Sequence, residues 1–115
     1  MKKVVLFAFK GEPMCFGHVL LNALDMKARG FEVKLIIEGE ATKQVSMLRN
    51  ETKPFAQEYR MVREDGLIEG VFRACATKTG AINAAIEQGL QPLGDMNGHP
   101  AIGGYLEQGF EVLVF

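Results

Sequence analysis

"KVVLFAFKGEPMCFGHVLLNALDMKARGFEVKLIIE", residues 3–38, contains the repeating unit from which the fold is read. Its opening run, "KVVLFAF" at 3–9, is continuously β-branched and aromatic, the pattern of a strand buried on both faces of a parallel sheet. From Cys15 to Arg29 the period changes. Phe16, Val19, Leu20, Ala23 and Leu24 recur at helical spacing as one apolar stripe, with Asn22, Asp25 and Arg29 toward water. Gly30 stands where a left-handed residue ends a helix, and "FEVKLIIE" at 31–38 follows as a second strand.

The same joint recurs. "ARGFEV" at 28–33, "EQGLQPL" at 87–93 and "EQGFEV" at 107–112 each run from a helix tail through Gly into an apolar stretch. Between the second and third strands the pattern predicts two packing helices. One is Glu40 to Arg49; the other opens at Pro54, carries Phe55, Tyr59 and Val62, and stops near Gly66. "GVFRAC" at 70–75 reads as the third strand, Thr79 to Gln88 as the helix behind it, and Leu90 to Leu93 as a short fourth strand. Pro100 opens a last helix that Gly109 stops, and "FEVLVF" at 110–115 closes the chain as a strand. Alternation of this kind predicts an α/β three-layer sandwich with a mostly parallel five-stranded sheet, in the flavodoxin-like order 2-1-3-4-5.

Composition bounds the class. The 115 residues, 48% of them hydrophobic, suffice for one core and are read as a single domain over 1–115. Thirteen basic against 14 acidic residues, without a basic block, exclude the footprint of a nucleic-acid binder. The opening apolar run is interrupted by Lys10, Gly11 and Glu12, so it predicts a strand rather than a leader, and no stretch is long enough for a membrane span. A cytoplasmic protein is expected, with two cysteines that each need an explanation.

In the expected order, strands 1 and 3 border the switch point, where ligands gather at the carboxyl ends of the strands. Cys15 and Cys75 follow those two strands, His18 lies one turn into the first helix, and His99 precedes the last helix on the same edge. Thr77 and Lys78 follow Cys75 and are expected to line its site, Lys78 adding positive charge. A thiol at a helix mouth is activated by unpaired N–H groups, whereas a Cys at the end of an inward-facing strand is an inert hydrophobe. Both readings of Cys75 stay open at this point. Cys15 is a candidate partner thiol, which His18 could polarise from the same helix face.

Other chemistries lack their residues. Cys15, His18, Cys75 and His99 are zinc-ligand types without the paired C-x-x-C spacing, so no metal is expected. No G-x-G-x-x-G follows strand 1, "GHPAIGG" at 98–104 is not a P-loop, and "KGEPMCFG" at 10–17 lacks hydroxyls for a flavin phosphate. No cofactor is expected. Glu12, Glu38 and Glu40 are expected near the same edge as a candidate carboxylate cluster, but Glu40 reads equally well as a first-turn dipole complement and Glu38 as a strand end, and the solvated reading is the better one.

"GVFRACATKTGAI" at 70–82, a strand ending in Cys and running into a small-residue helix, resembles the DsrE/DsrF-like sulfur-relay proteins. The opening "KKVVLFAF", the helix "HVLLNALDMKARGFEV" and the closing "GFEVLVF" extend the resemblance along nearly the whole chain. What it implies is a cytoplasmic homo-oligomer or hetero-oligomer with sulfurtransferase-type chemistry, in which Cys75 accepts sulfane sulfur as a persulfide. The implied partners are sulfur donor and acceptor proteins or small thiols. Cys15, His18 and His99 lie outside the family pattern, and their candidacy is positional. The competing class is a binding or assembly module of the same fold, in which Cys75 only lines the pocket.

Overall fold

The computed structural model describes residues 1–94 and 102–115. Five parallel strands form the sheet: β1 (Lys3–Ala8), β2 (Glu32–Ile37), β3 (Ile68–Phe72), β4 (Pro92–Leu93) and β5 (Glu111–Val114). The helices are α1 (Pro13–Ala28), α2 (Lys43–Met47), α3 (Ala56–Glu64), α4 (Arg73–Thr79), α5 (Ile82–Glu87) and α6 (Ile102–Glu107), with a 3-10 turn at Gly39–Thr42. None is long and apolar enough to cross a membrane. The three recurrent joints behave alike, with Gly30, Gly89 and Gly109 all at positive φ.

The α/β class and the five-stranded sheet are as expected, but the strand order is β4-β3-β2-β1-β5 and not 2-1-3-4-5. Each step from β1 to β4 moves to the next position in the same direction, and a fixed right-handed crossover then puts every connecting helix on one face. The core divides accordingly. Val4, Leu6, Ala8, Val33, Leu35, Ile37 and Val71 face Phe16, Leu20, Val45, Tyr59, Ala76 and Ala85 of the first five helices. The opposite face carries Val5, Phe7, Ile36 and Phe72, and meets Tyr105 of α6 and Phe110. Among the described residues, only the return from β4 to β5, which crosses the whole sheet, places a helix there.

This order moves the divergence of the connections. β3 leads into α4 on the first face, whereas β4 leads on to α6 on the second, so the crevice opens at β3 and β4 rather than between β1 and β3. β1 and β3 are not neighbours; β2 lies between them.

Candidate functional site

Three elements meet around Cys75. β3 ends at Phe72, earlier than the sequence suggests, because the chain turns directly into α4 there, and Cys75 is the third residue of that helix. Gly80, in the left-handed conformation, stops α4 at seven residues and separates it from α5, where a single helix over 79–88 had been expected. On α4 the spacing is decisive. Lys78 and Thr79, three and four residues on, share the face of Cys75 and line one cleft of about 260 Å³ with Phe9, Gly39 and Glu40. Thr77 points elsewhere, its hydroxyl donating to the Arg73 carbonyl at 2.8 Å, and it does not line that cleft.

Cys75 is half-buried, packed against the second-face core with Leu93 and Val112. The floor is made by close approach. Gly39 has a left-handed backbone (φ 56°), and a Cβ there would sit 2.8 Å from the Phe9 ring, so glycine suits both the turn and the close approach of the ring. The buried Thr42 fixes the wall: its hydroxyl lies 2.7 Å from the Thr79 hydroxyl and 2.8 Å from the Gly39 carbonyl. With Thr79 donating to Thr42 and Thr42 donating to Gly39, every proton is used, and the β2 loop is tied to α4. At the rim, Lys43 bonds Glu40 at 2.8 Å and holds its carboxyl below the usual carboxylate range, with Lys78 adding to the effect.

Cys15 is placed differently. It lines a separate cleft of about 400 Å³ with Lys10, Met14, His18 and Phe115. The two clefts share no residue, and the strands that the thiols follow, β1 and β3, have β2 between them, so the expected gathering of both thiols at one switch point does not occur. Glu12 caps α1, accepting from Met14 N at 3.1 Å and Cys15 N at 2.9 Å. Those bonds lower the Glu12 pKa. Its carboxylate in turn accepts the Cys15 thiol proton and, with desolvation and its negative charge, raises the Cys15 pKa above that of an ordinary thiol. His18 is exposed, edge-on to Phe115 at 6.0 Å and 3.3 Å from Asn22, and so belongs to the Cys15 cleft. His99, and the helix start at Pro100, lie outside the described residues.

Among the described residues no three His, Cys, Asp or Glu side chains gather as metal ligands, so Glu12, Glu38 and Glu40 form no cluster. Phe9, Thr42 and Thr79 escaped the sequence reading. Thr79 was findable, since it lies one helical turn from Cys75; Phe9 and Thr42 join the site only through the adjacency of β1, β2 and β3.

No protein-family model and no solved structure matches the chain. An uncharacterized protein of Methanocaldococcus jannaschii is 32% identical over 96 residues, which cover 84% of this chain and 76% of that protein. An uncharacterized protein of Archaeoglobus fulgidus is 46% identical over 41 residues, covering 36% of this chain and 67% of its own length.

Proposed function

The chain belongs to the same family as the Methanocaldococcus jannaschii protein that it matches over most of its length, and we propose that it is a persulfide carrier working through Cys75. The observation that carries this reading is the half-buried thiol itself, which borders an open cleft at the carboxyl ends of β1, β2 and β3 with the exposed Lys78 on the same helix face. The resemblance of "GVFRACATKTGAI" to sulfur-relay proteins supports it.

In this mechanism the Cys75 thiolate attacks the outer sulfur of a donor persulfide, R–S–SH. A new S–S bond forms at Cys75, the donor S–S bond breaks, and R–S⁻ leaves with the electron pair. An acceptor thiolate repeats the step on the Cys75 persulfide and regenerates the Cys75 thiolate. The two steps are isoelectronic, so no redox cofactor is consumed. Lys78 supplies a cation beside the persulfide anion, and the Thr42–Thr79 pair keeps α4 in place while partners exchange. Cys15 is a poor resolving thiol, because Glu12 favours its protonated form and the two thiols line separate clefts.

Intact-protein mass spectrometry after incubation with a small-molecule persulfide tests the proposal. One added sulfur, about 32 Da, is expected on the parent protein and on Cys15→Ser, and none on Cys75→Ser. Equal uptake by Cys75→Ser overturns the mechanism. No uptake by any form, with both native thiols unreactive toward a soluble reagent, moves the function to a ligand-binding or assembly module.

A further inference from the structure

We infer that β5 and the adjoining stripe of α1 form the interface through which two copies of this chain join their sheets, edge to edge, about a two-fold axis at Leu113. The inference gives the expected homo-oligomer a surface and is independent of the sulfur chemistry.

The sheet has two edges, and they are built differently. β4 has only two residues and begins with Pro92, which has no N–H to offer a neighbour. β5 runs for four residues, Glu111–Val114, without proline, lysine or bulge. Leu113 is 40% exposed and Val114 65% exposed. Beside this edge α1 presents Met14, His18 and Leu21 at helical spacing; Met14 is 66% and Leu21 48% exposed. The stripe faces β5, since Met14, His18 and Phe115 line one cleft and the His18 ring meets Phe115 at 6.0 Å. Strand and stripe make one apolar surface. A stable interface buries about 800 Å² per partner, more than four strand residues provide, so the α1 stripe is a necessary part of it.

The hydrogen-bonding pattern sets the register in which a second copy pairs. Phe115 donates its N–H to Phe7 O at 2.8 Å and accepts from Phe9 N at 2.9 Å, so residues 111, 113 and 115 spend their backbone groups on β1. By alternation, Val112 and Val114 turn theirs outward. An edge that pairs with its own copy about a two-fold axis is necessarily antiparallel. With Leu113 on the axis, Val112 lies opposite the partner's Val114 and Val114 opposite the partner's Val112, so all outward groups are used. The two Leu113 side chains then meet at the closely spaced, non-hydrogen-bonded position.

Charge agrees with this register. Glu111 falls opposite the partner's Phe115, and Lys10 lies beside Phe115 in the same cleft. Lys10 forms no ion pair among the described residues, while Glu111 has only a 4.0 Å exposed contact with Lys2. Each copy therefore brings one acidic and one basic group to opposite ends of the joint, and the two-fold axis pairs them twice.

Light scattering and sedimentation at tens of micromolar protein test the assignment. The expected mass is twice the 12.7 kDa of the chain. Leu113→Lys, which sets two ammonium groups face to face, is expected to give a folded monomer by circular dichroism. Glu111→Lys is expected to weaken association roughly tenfold, and adding Lys10→Glu to restore it, a rescue that misfolding cannot mimic. A monomeric parent protein, an oligomer indifferent to Leu113→Lys, or a double variant no better than Glu111→Lys overturns the assignment.

Discussion

Cys15 and Cys75 occupy the same third position of the helices that follow their strands, yet one group separates their chemistry. The residue capping α1 is Glu12, whereas the residue capping α4 is Phe72, which offers no side-chain hydrogen bond. Glu12 stabilises the protonated Cys15 thiol, so its thiolate appears only at a higher pH than for an ordinary cysteine, whose pKa is near 8.5. In a Cys75→Ser background, iodoacetamide alkylation of Cys15 should therefore rise late in a pH series. Glu12→Gln removes the negative charge, so the rise is expected to shift to lower pH and the rate at pH 8 to increase several-fold. An unchanged profile would mean that the carboxylate does not control the thiol. The sequence placed both thiols after their strands, but Glu12, three positions before Cys15, reads as one more solvated carboxylate until the cap geometry is known. Lys78 was legible from its nearness to Cys75 in sequence, and α4, which begins at Arg73 rather than Thr79, sets it three residues on upon the same helix face. Thr77, expected on that face too, spends its hydroxyl on the turn behind it.

At the scale of elements, β1, α1 and β2 were readable because each is long enough for its period to repeat. β4 was faint, since two residues have no period, and it holds its place through Gly70 of β3. A Cβ at Gly70 would lie 2.5 Å from Leu93 Cγ and 2.6 Å from the Gln91 carbonyl oxygen. That carbonyl is itself fixed, accepting from Val71 N at 2.9 Å. Alanine is favoured over glycine within a strand or helix by about 1 kcal/mol at most. A clash with backbone that is already hydrogen-bonded costs more, about 1–3 kcal/mol. Gly70→Ala is thus expected to destabilise the protein, seen as a lower denaturation midpoint, with the β4 edge loosened first; a stabilised variant would show that Gln91 has room to move. The break between α4 and α5 was illegible for a related reason. "TKTGAINAAIEQ" at 77–88 keeps a helical apolar pattern across Gly80, and only the left-handed backbone there ends α4.

Across the whole molecule, the order β4-β3-β2-β1-β5 loads the two faces of the sheet unequally. Local patterns specify that strands are parallel and buried on both sides, but the neighbours each strand chooses depend on contacts between residues far apart in the chain. Both orders satisfy the same apolar runs, which is why the class was legible and the order was not. The consequence is energetic. Five helices cover the first face, while α6, with six residues, is the one helix described on the second. Tyr105 anchors it. Its ring meets Phe7 at 6.0 Å and Phe110 at 5.9 Å, both edge-on, and its hydroxyl donates to Glu69 at 3.0 Å. Glu69 also holds Lys34 at 3.3 Å, so one carboxylate joins α6, β2 and β3. A helix held chiefly by one aromatic anchor opens at lower free energy than the β1–β2 pair, which is buried from both sides. Amide exchange at 103–110 is therefore expected to be faster than at 4–8 and 33–37, and Tyr105→Ala, at a cost on the order of 3 kcal/mol, to widen the gap. Because β5 follows α6 directly, the same variant should also expose its amides. Uniform protection along the chain, or a Tyr105→Ala variant that exchanges evenly, would mean that the second face is no weaker than the first and that the sheet opens only as a whole.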